Sequence, residues 1–192
     1  ITFIIYGNAG VAGATLSYTD GVAKTVTSAS NGDYLLSVSY GWSGTVTPSK
    51  AGYGFNPVSI TYTNVLANLY NQNYTITFSI SGNTGVPGAV LRYTDGTPKT
   101  VTANSLGAYS FNVPAGWSGS VTPEKPGYIF YPGSLSHSNV TANKTGQDYS
   151  VFSDVPTASS SYSFIHRLFN SGITGGCASS PRPGLRRARA GK

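Results

Sequence analysis

Apolar and polar residues alternate along most of the first 150 positions, in short runs broken by Gly, Asp-Gly and Asn-Gly. A period of two puts every second side chain on one face, which is the mark of a half-buried strand. Across residues 34–40, Tyr34, Leu36, Val38 and Tyr40 share a face; across 14–18, Ala14, Leu16 and Tyr18 do so. The same reading predicts strands over 2–6, 24–28, 45–48, 52–57, 59–63 and 69–75. Turns fall between them at the Gly-rich stretch 8–13, at Asp20-Gly21 and at Asn31-Gly32. Turn signals at about this spacing, with no helical period between them, predict an all-β sandwich of about seven strands.

The pattern is then written out a second time. Ile1-Thr2-Phe3 returns as Ile76-Thr77-Phe78, Tyr18-Thr19-Asp20-Gly21 as Tyr93-Thr94-Asp95-Gly96, and Gly41-Trp42-Ser43-Gly44 as Gly116-Trp117-Ser118-Gly119. The register holds without a gap to Tyr74 and Tyr149. A unit of this length can bury a small core, so the expected organisation is two tandem Ig-like or prealbumin-like sandwiches, residues 1–75 and 76–150. Tyr74-Thr75 runs into Ile76 without a Pro/Ser-rich linker, which predicts a stiff pair rather than two free beads.

Composition agrees: charged residues are 9% of the chain, with 24 Gly and 11 Pro punctuating β-prone stretches. The net charge of +6 belongs to the end of the chain. Residues 1–150 carry six cations against five anions, while 151–192 carry six against one. The repeats therefore lack the electrostatic footprint of a nucleic-acid binder. The lone Cys177 excludes an intrachain disulfide. The chain has no methionine, so Ile1 is not an initiator and a processed or partial chain is expected. No apolar run approaches the length of a membrane-spanning helix.

In the second repeat the order Val86-Pro87-Gly88-Ala89-Val90, Tyr93-Thr94-Asp95-Gly96, Lys99-Thr100-Val101-Thr102, Val113-Pro114-Ala115-Gly116 and Lys125-Pro126-Gly127-Tyr128 resembles the carboxypeptidase regulatory-like, or prealbumin-like, sandwich. That resemblance covers both repeats. It implies non-catalytic modules that serve as accessories or as stalks of bacterial surface proteins. Residues 151–177 resemble the opening half of an S-layer homology module: Phe152, Asp154 and Pro156 in the entry, Ile165 and Leu168 on an amphipathic helix, and a turn beginning at Gly172. The likeness implies a remnant of a wall anchor, and it ends before the basic stretch 178–192, where disorder is expected.

Chemistry is sparse. His137 and His166 fall in different parts of the chain, and no Ser/His/Asp or metal-ligand spacing is visible, so neither catalysis nor a cofactor is expected. Asp20 and Asp95 precede Gly, which is turn chemistry; calcium ligation with Asn31 and Asp33 is the rival reading. Trp42 and Trp117 are candidate ligand or interface residues, as sugar-stacking rings or as core. Ile1, Phe3 and Ile5 are candidates for adding a strand to a neighbouring subunit. The expected role is that of an extracellular stalk or self-assembling filament subunit on a bacterial cell surface. Its alternatives are a carbohydrate- or protein-binding adhesion module, with cell-wall polymer or glycan as partner, and the accessory domains of a larger secreted enzyme.

Overall fold

The alternation in the first repeat becomes seven strands: β1 (Thr2–Asn8), β2 (Thr15–Asp20), β3 (Val22–Thr27), β4 (Asp33–Ser39), β5 (Trp42–Ser49), β6 (Gly54–Asn56) and β7 (Ile60–Val65). The second repeat reproduces them as β8 (Thr75–Asn83), β9 (Val90–Asp95), β10 (Thr97–Thr102), β11 (Ala108–Pro114), β12 (Trp117–Glu124), β13 (Phe130–Tyr131) and β14 (Leu135–Val140), and β15 (Ser150–Val151) follows. This computed structural model describes residues 1–151 and, beyond them, the exposed helical Phe164. The expectations placed on Phe152, Asp154, Pro156, Ile165, Leu168, Gly172 and the basic stretch lie outside the described residues.

In each repeat, one sheet has four strands in the order β3-β2-β5-β7, or β10-β9-β12-β14 in the second copy. Facing it, β1 pairs antiparallel with β4 over seven positions, from Thr2↔Ser39 to Asn8↔Asp33, and β8 pairs with β11 in the same way. The alternating side chains then meet between the sheets. Ile5, Leu16, Leu36, Val38 and Val46 are fully buried in the first core, and Ile80, Leu91, Val113, Val121 and Val140 in the second. Burying each such side chain stabilises the fold by roughly 1.5–3 kcal/mol. The two cores are separate clusters, with Tyr53 and Ile76 packed against both.

The predicted strand over 69–75 takes a different form. The segment lies parallel to β1, not antiparallel, and touches it through the single bridge Ile5↔Leu69. Hydrogen bonds from Leu69 N to Ile4 O, Tyr6 N to Leu69 O and Tyr74 N to Asn8 O, each 2.8 Å, hold it there. Asn71 sits at a φ of 59° and the equivalent Gly146 at 64°, a left-handed turn that interrupts a regular ladder. The crossing is close: a Cβ on Gly7 would overlap the Gln72 carbonyl, and one on Gly82 the Gln147 carbonyl. Hydropathy alternation reports which face is buried. It does not report strand direction.

The joint between repeats is a shared sheet. β8, the opening strand of the second repeat, pairs with β11 on one edge and with β6 of the first repeat on the other. Its register against β6 is Asn56↔Thr75, Phe55↔Ile76 and Gly54↔Thr77. The first sandwich is therefore completed by a strand that belongs to the second.

Candidate functional site

Four-stranded sheets and packed cores leave the strand edges as the places where chemistry can happen, and the chain has two of them at its repeat boundaries. At the first repeat, Ile1 is 96% exposed, whereas the identical Ile76 is partly buried against both cores. β1 has β4 on one side, and no strand among the described residues pairs with the outer edge of its first three residues. Backbone direction alternates along that edge. The Ile1 carbonyl accepts from Tyr40 N on the β4 side, while Ile4 turns outward, accepting from Leu69 N and donating to Asn68 Oδ1. By that alternation the N–H and C=O of Thr2 also face outward.

The candidate strand-addition segment is thereby narrowed. Ile5 is fully buried, and the edge beside it is occupied by Leu69. Of Ile1, Phe3 and Ile5, Phe3 also packs against the first core, and only the backbone of Thr2 between them faces outward with no strand against it among the described residues. At the other boundary β13 pairs with β15, Phe130↔Val151 and Tyr131↔Ser150, the counterparts of Phe55↔Ile76 and Asn56↔Thr75. Nothing in the hydropathy pattern signals this joint. The usable signal is the exact return of Ile-Thr-Phe at each repeat start, with Ser150-Val151 in the place of Thr75-Ile76.

The tryptophans lie inside. Trp42 is 6% exposed and Trp117 is 8% exposed. Their indole N–H groups donate to the Thr19 and Thr94 carbonyls at 2.8 and 2.9 Å. A register shift at Trp42/Gly44 and at Trp117/Gly119 folds each ring over its glycine, where a Cβ would collide with the indole. A sugar-stacking ring needs a broadly open face, which rings this buried lack, although Trp117 contributes to the lining of a groove. Open grooves border them on the four-stranded sheets, one of about 950 Å³ lined by Tyr93, Asp95, Lys99 and Trp117, and one of about 600 Å³ lined by Tyr18, Lys24 and Gly44.

Asp20 does not cap its own turn. Its carboxylate accepts from Lys24 at 2.9 Å and from the Ser39 hydroxyl and N–H, and the Lys24 bond above all holds it below the usual carboxylate range. Asp33 is likewise lowered, first by the Tyr6 hydroxyl and then by Asn8. Among the described residues no group of three or more His, Cys, Asp or Glu side chains could hold a metal ion. His137 packs 5.9 Å from Trp117, and burial pushes its pKa down. Each core holds buried phenols: Tyr62 in the first is pushed up to about 12 by burial, as is Tyr149 in the second. None of these groups combines a nucleophile with a base.

No family model matches the chain. A chitinase, ChiA of Flavobacterium johnsoniae, is 31% identical over 132 residues, which cover 65% of this chain and 8% of that protein. The chain thus spans about a twelfth of the length of that relative. Among solved structures, the minor pilin GBS52 of Streptococcus agalactiae aligns at a TM-score of 0.34 with 10% identity, covering 83% of this chain and 99% of that one. The TIE protein of Bacillus anthracis aligns at 0.33 with 13% identity, covering 78% and 34%. Scores of this size do not establish a common arrangement.

Proposed function

We propose that residues 1–151 are a stiff, non-catalytic spacer of an extracellular surface or secreted protein, able to join its own kind end to end. The observation that carries this is the β6–β8 pairing. A hinge between repeats would have to break three register positions of backbone pairing and separate Tyr53 and Ile76 from two cores. A flexible tether has neither constraint. The nearly neutral, cysteine-free repeats, held without any disulfide, suit a repeated structural element.

Spin labels on Leu35→Cys and Leu106→Cys in a Cys177→Ser background test the stiffness, since both positions are exposed. A single narrow distance distribution is expected from pulsed dipolar spectroscopy. A broad distribution, as from freely jointed beads, overturns the spacer reading.

A second reading has one specific observation behind it. The identity to part of a chitinase supports these repeats as accessory domains within a longer secreted enzyme. The two readings separate by binding. A spacer stays in the supernatant when mixed with insoluble chitin, whereas a substrate-binding accessory pellets with it.

A further inference from the structure

We propose that β3 is an association edge: it pairs antiparallel with β3 of a second copy of this chain about a two-fold axis, Thr25 opposite Thr25, and so joins two four-stranded sheets side by side. β3 takes no part in the β6–β8 joint, and the pairing holds whether or not copies also join end to end.

The direction of the β3 backbone follows from its neighbours. β2 lies between β3 and β5. Thr15 and Ser17 pair with Ser49 and Thr47 of β5, and the Thr19 carbonyl accepts from the Trp42 indole on that same side. In an antiparallel ladder both backbone groups of a residue point to one side, and successive residues alternate. Thr15, Ser17 and Thr19 therefore turn toward β5, and their partners on β3, Thr27, Thr25 and Ala23, turn away from β2. No described strand pairs with that far side.

Other edges of the two repeats are guarded. The Ser39 N–H faces out from β4 and donates to the Asp20 carboxylate at 3.2 Å, while the Tyr18 hydroxyl donates to the Ser37 carbonyl beside it. In the second repeat Ser39 becomes Pro114 and Ala23 becomes Pro98, and proline has no N–H to offer a neighbouring strand. β7 and β14 are interrupted near their ends by Asn64 and Asn139, at φ of 51° and 47°. β3 carries none of these devices. Ala23, Thr25 and Thr27 are exposed and uncharged, and Val22 is 66% exposed where the second repeat has Thr97. Such an edge is a template for another strand.

The strand's own sequence names the occupant, because β3 is complementary to itself. Only registers that set outward residues against outward residues can form the ladder. With Thr25 opposite Thr25, Ala23 meets Thr27 on either side, and each of these pairs exchanges both backbone hydrogen bonds. Lys24, held by Asp20 at 2.9 Å, then meets Val26. Sliding by one pair in one direction sets Lys24 against Lys24, and like charges directly opposite are destabilising. Sliding in the other direction leaves Ala23 without a partner on the strand. An interface made by one strand falls below the roughly 1,200 Å² of a standard stable complex, so the association is reversible. The two-fold axis uses up both edges, so it closes at a dimer.

Sedimentation velocity on the full chain tests this. The sedimentation coefficient is expected to rise with concentration toward that of a dimer. Ala23→Pro gives the first repeat the residue that the second carries at the same place, and the N–H it removes has no partner within β2, so the fold is kept, which urea unfolding checks. It is expected to raise the dimer Kd by roughly tenfold or more, whereas Ala23→Ser, which keeps the N–H, leaves it unchanged. A wild-type chain still monomeric at about 1 mM overturns the inference, as does a folded Ala23→Pro chain that associates like wild type.

A covalent trap reads the register without a proline. Antiparallel partners lie about 5.5 Å apart at hydrogen-bonded positions, within disulfide reach. In a Cys177→Ser background, Thr25→Cys is expected to give a disulfide-linked dimer on mild oxidation. Thr27→Cys, also exposed, is expected to link to Ala23→Cys chains and not to itself. Equal self-linking of Thr25→Cys and Thr27→Cys overturns the pairing. None of these substitutions lies in the β6–β8 joint, so a narrow spin-label distance with no β3 pairing sinks this inference and leaves the spacer standing.

Discussion

The two repeats share a frame and differ in their fittings. In both, an indole donates to the strand behind it, and Tyr74 and Tyr149 donate through buried hydroxyls to the Val46 and Val121 carbonyls at 3.0 and 2.8 Å. Tyr34 and Tyr109 each donate to the carbonyl of the crossing glutamine, Gln72 or Gln147. These bonds run from side chain to backbone, so they fix the path of the chain. What varies is the polar group under the first turn. Ser28 bridges Ala14 N and Val11 O in the first repeat; its counterpart is Ala103, and Thr84, in the place of Ala9, donates to Val86 O instead. One hydroxyl is kept beneath the turn, from either strand. Here the hydrogen bond is relocated, not lost; an unpaired buried polar group beneath the turn would cost about 1–3 kcal/mol.

If the frame is common, equivalent core truncations should be equally costly. Ile5 and Ile80 are both fully buried at the crossing of β1 or β8 with the parallel segment. Ile5→Ala and Ile80→Ala are each expected to destabilise by about 2–5 kcal/mol in urea unfolding, with similar losses in the two copies. A large loss in one and a small loss in the other would mean that the two interiors are not the same structure.

A sharper contrast lies at position 62/137. Tyr62 packs 5.9 Å from Trp42, and His137 takes the same place beside Trp117. His137 Nε2 is buried with no hydrogen-bond partner among the described residues. Burial, with the nearby Lys144 second, lowers its pKa below the ordinary value of 6.5. The unfolded chain therefore binds this proton more readily than the folded one. Stability of the second repeat should be flat above about pH 6.5 and fall as pH drops from there through the folded pKa. Trp117 fluorescence in a Trp42→Phe background would follow it in denaturant. His137→Tyr, which installs the first repeat's residue, is expected to remove that slope; a slope that survives the change assigns it elsewhere.

The sandwich was legible because its signals are local. Alternation at Tyr34, Leu36 and Val38, and the glycine-bearing turns, depend on neighbours in sequence, and the structure keeps them. The seven strands of each repeat follow from them. The shared sheet was not legible, because β6 and β8 each look like an ordinary short strand and only their partners differ. The parallel crossing was hidden in the same way: its cause is the left-handed turn at Asn71 and the space above Gly7, and neither changes the hydropathy pattern. The tryptophans read as ligand or core from sequence, since Gly-Trp-Ser-Gly suits an exposed loop as well as it suits a bulge that tucks the ring in. What decided it was the backbone acceptor at Thr19 and Thr94, far away in sequence.

The smallest expected difference between the copies is at their acidic ends. Asp33 is ringed by donors: Asn8 Nδ2 at 2.8 Å, Asn31 Nδ2 at 2.7 Å, and the Tyr6 hydroxyl, whose own pKa the carboxylate raises in turn. The second repeat has Ala108 there; Asn83 keeps the bond to the Leu106 carbonyl that Asn8 makes to the Asn31 carbonyl, and only the bond to a carboxylate is lost. Because these bonds favour the ionised form, the folded pKa of Asp33 lies below the unfolded one. The stabilisation is then complete above the ordinary Asp range near pH 4 and is lost as pH falls through the folded value. Asp33 sits at a solvent-exposed ring of donors, so the effect is screened by salt and modest. Asp33→Ala should flatten the acid limb of stability for the first repeat at low ionic strength and leave the second unchanged. If wild type and Asp33→Ala lose stability in parallel below pH 4, the ring of donors contributes nothing, and the acid sensitivity belongs to the frame that both copies share.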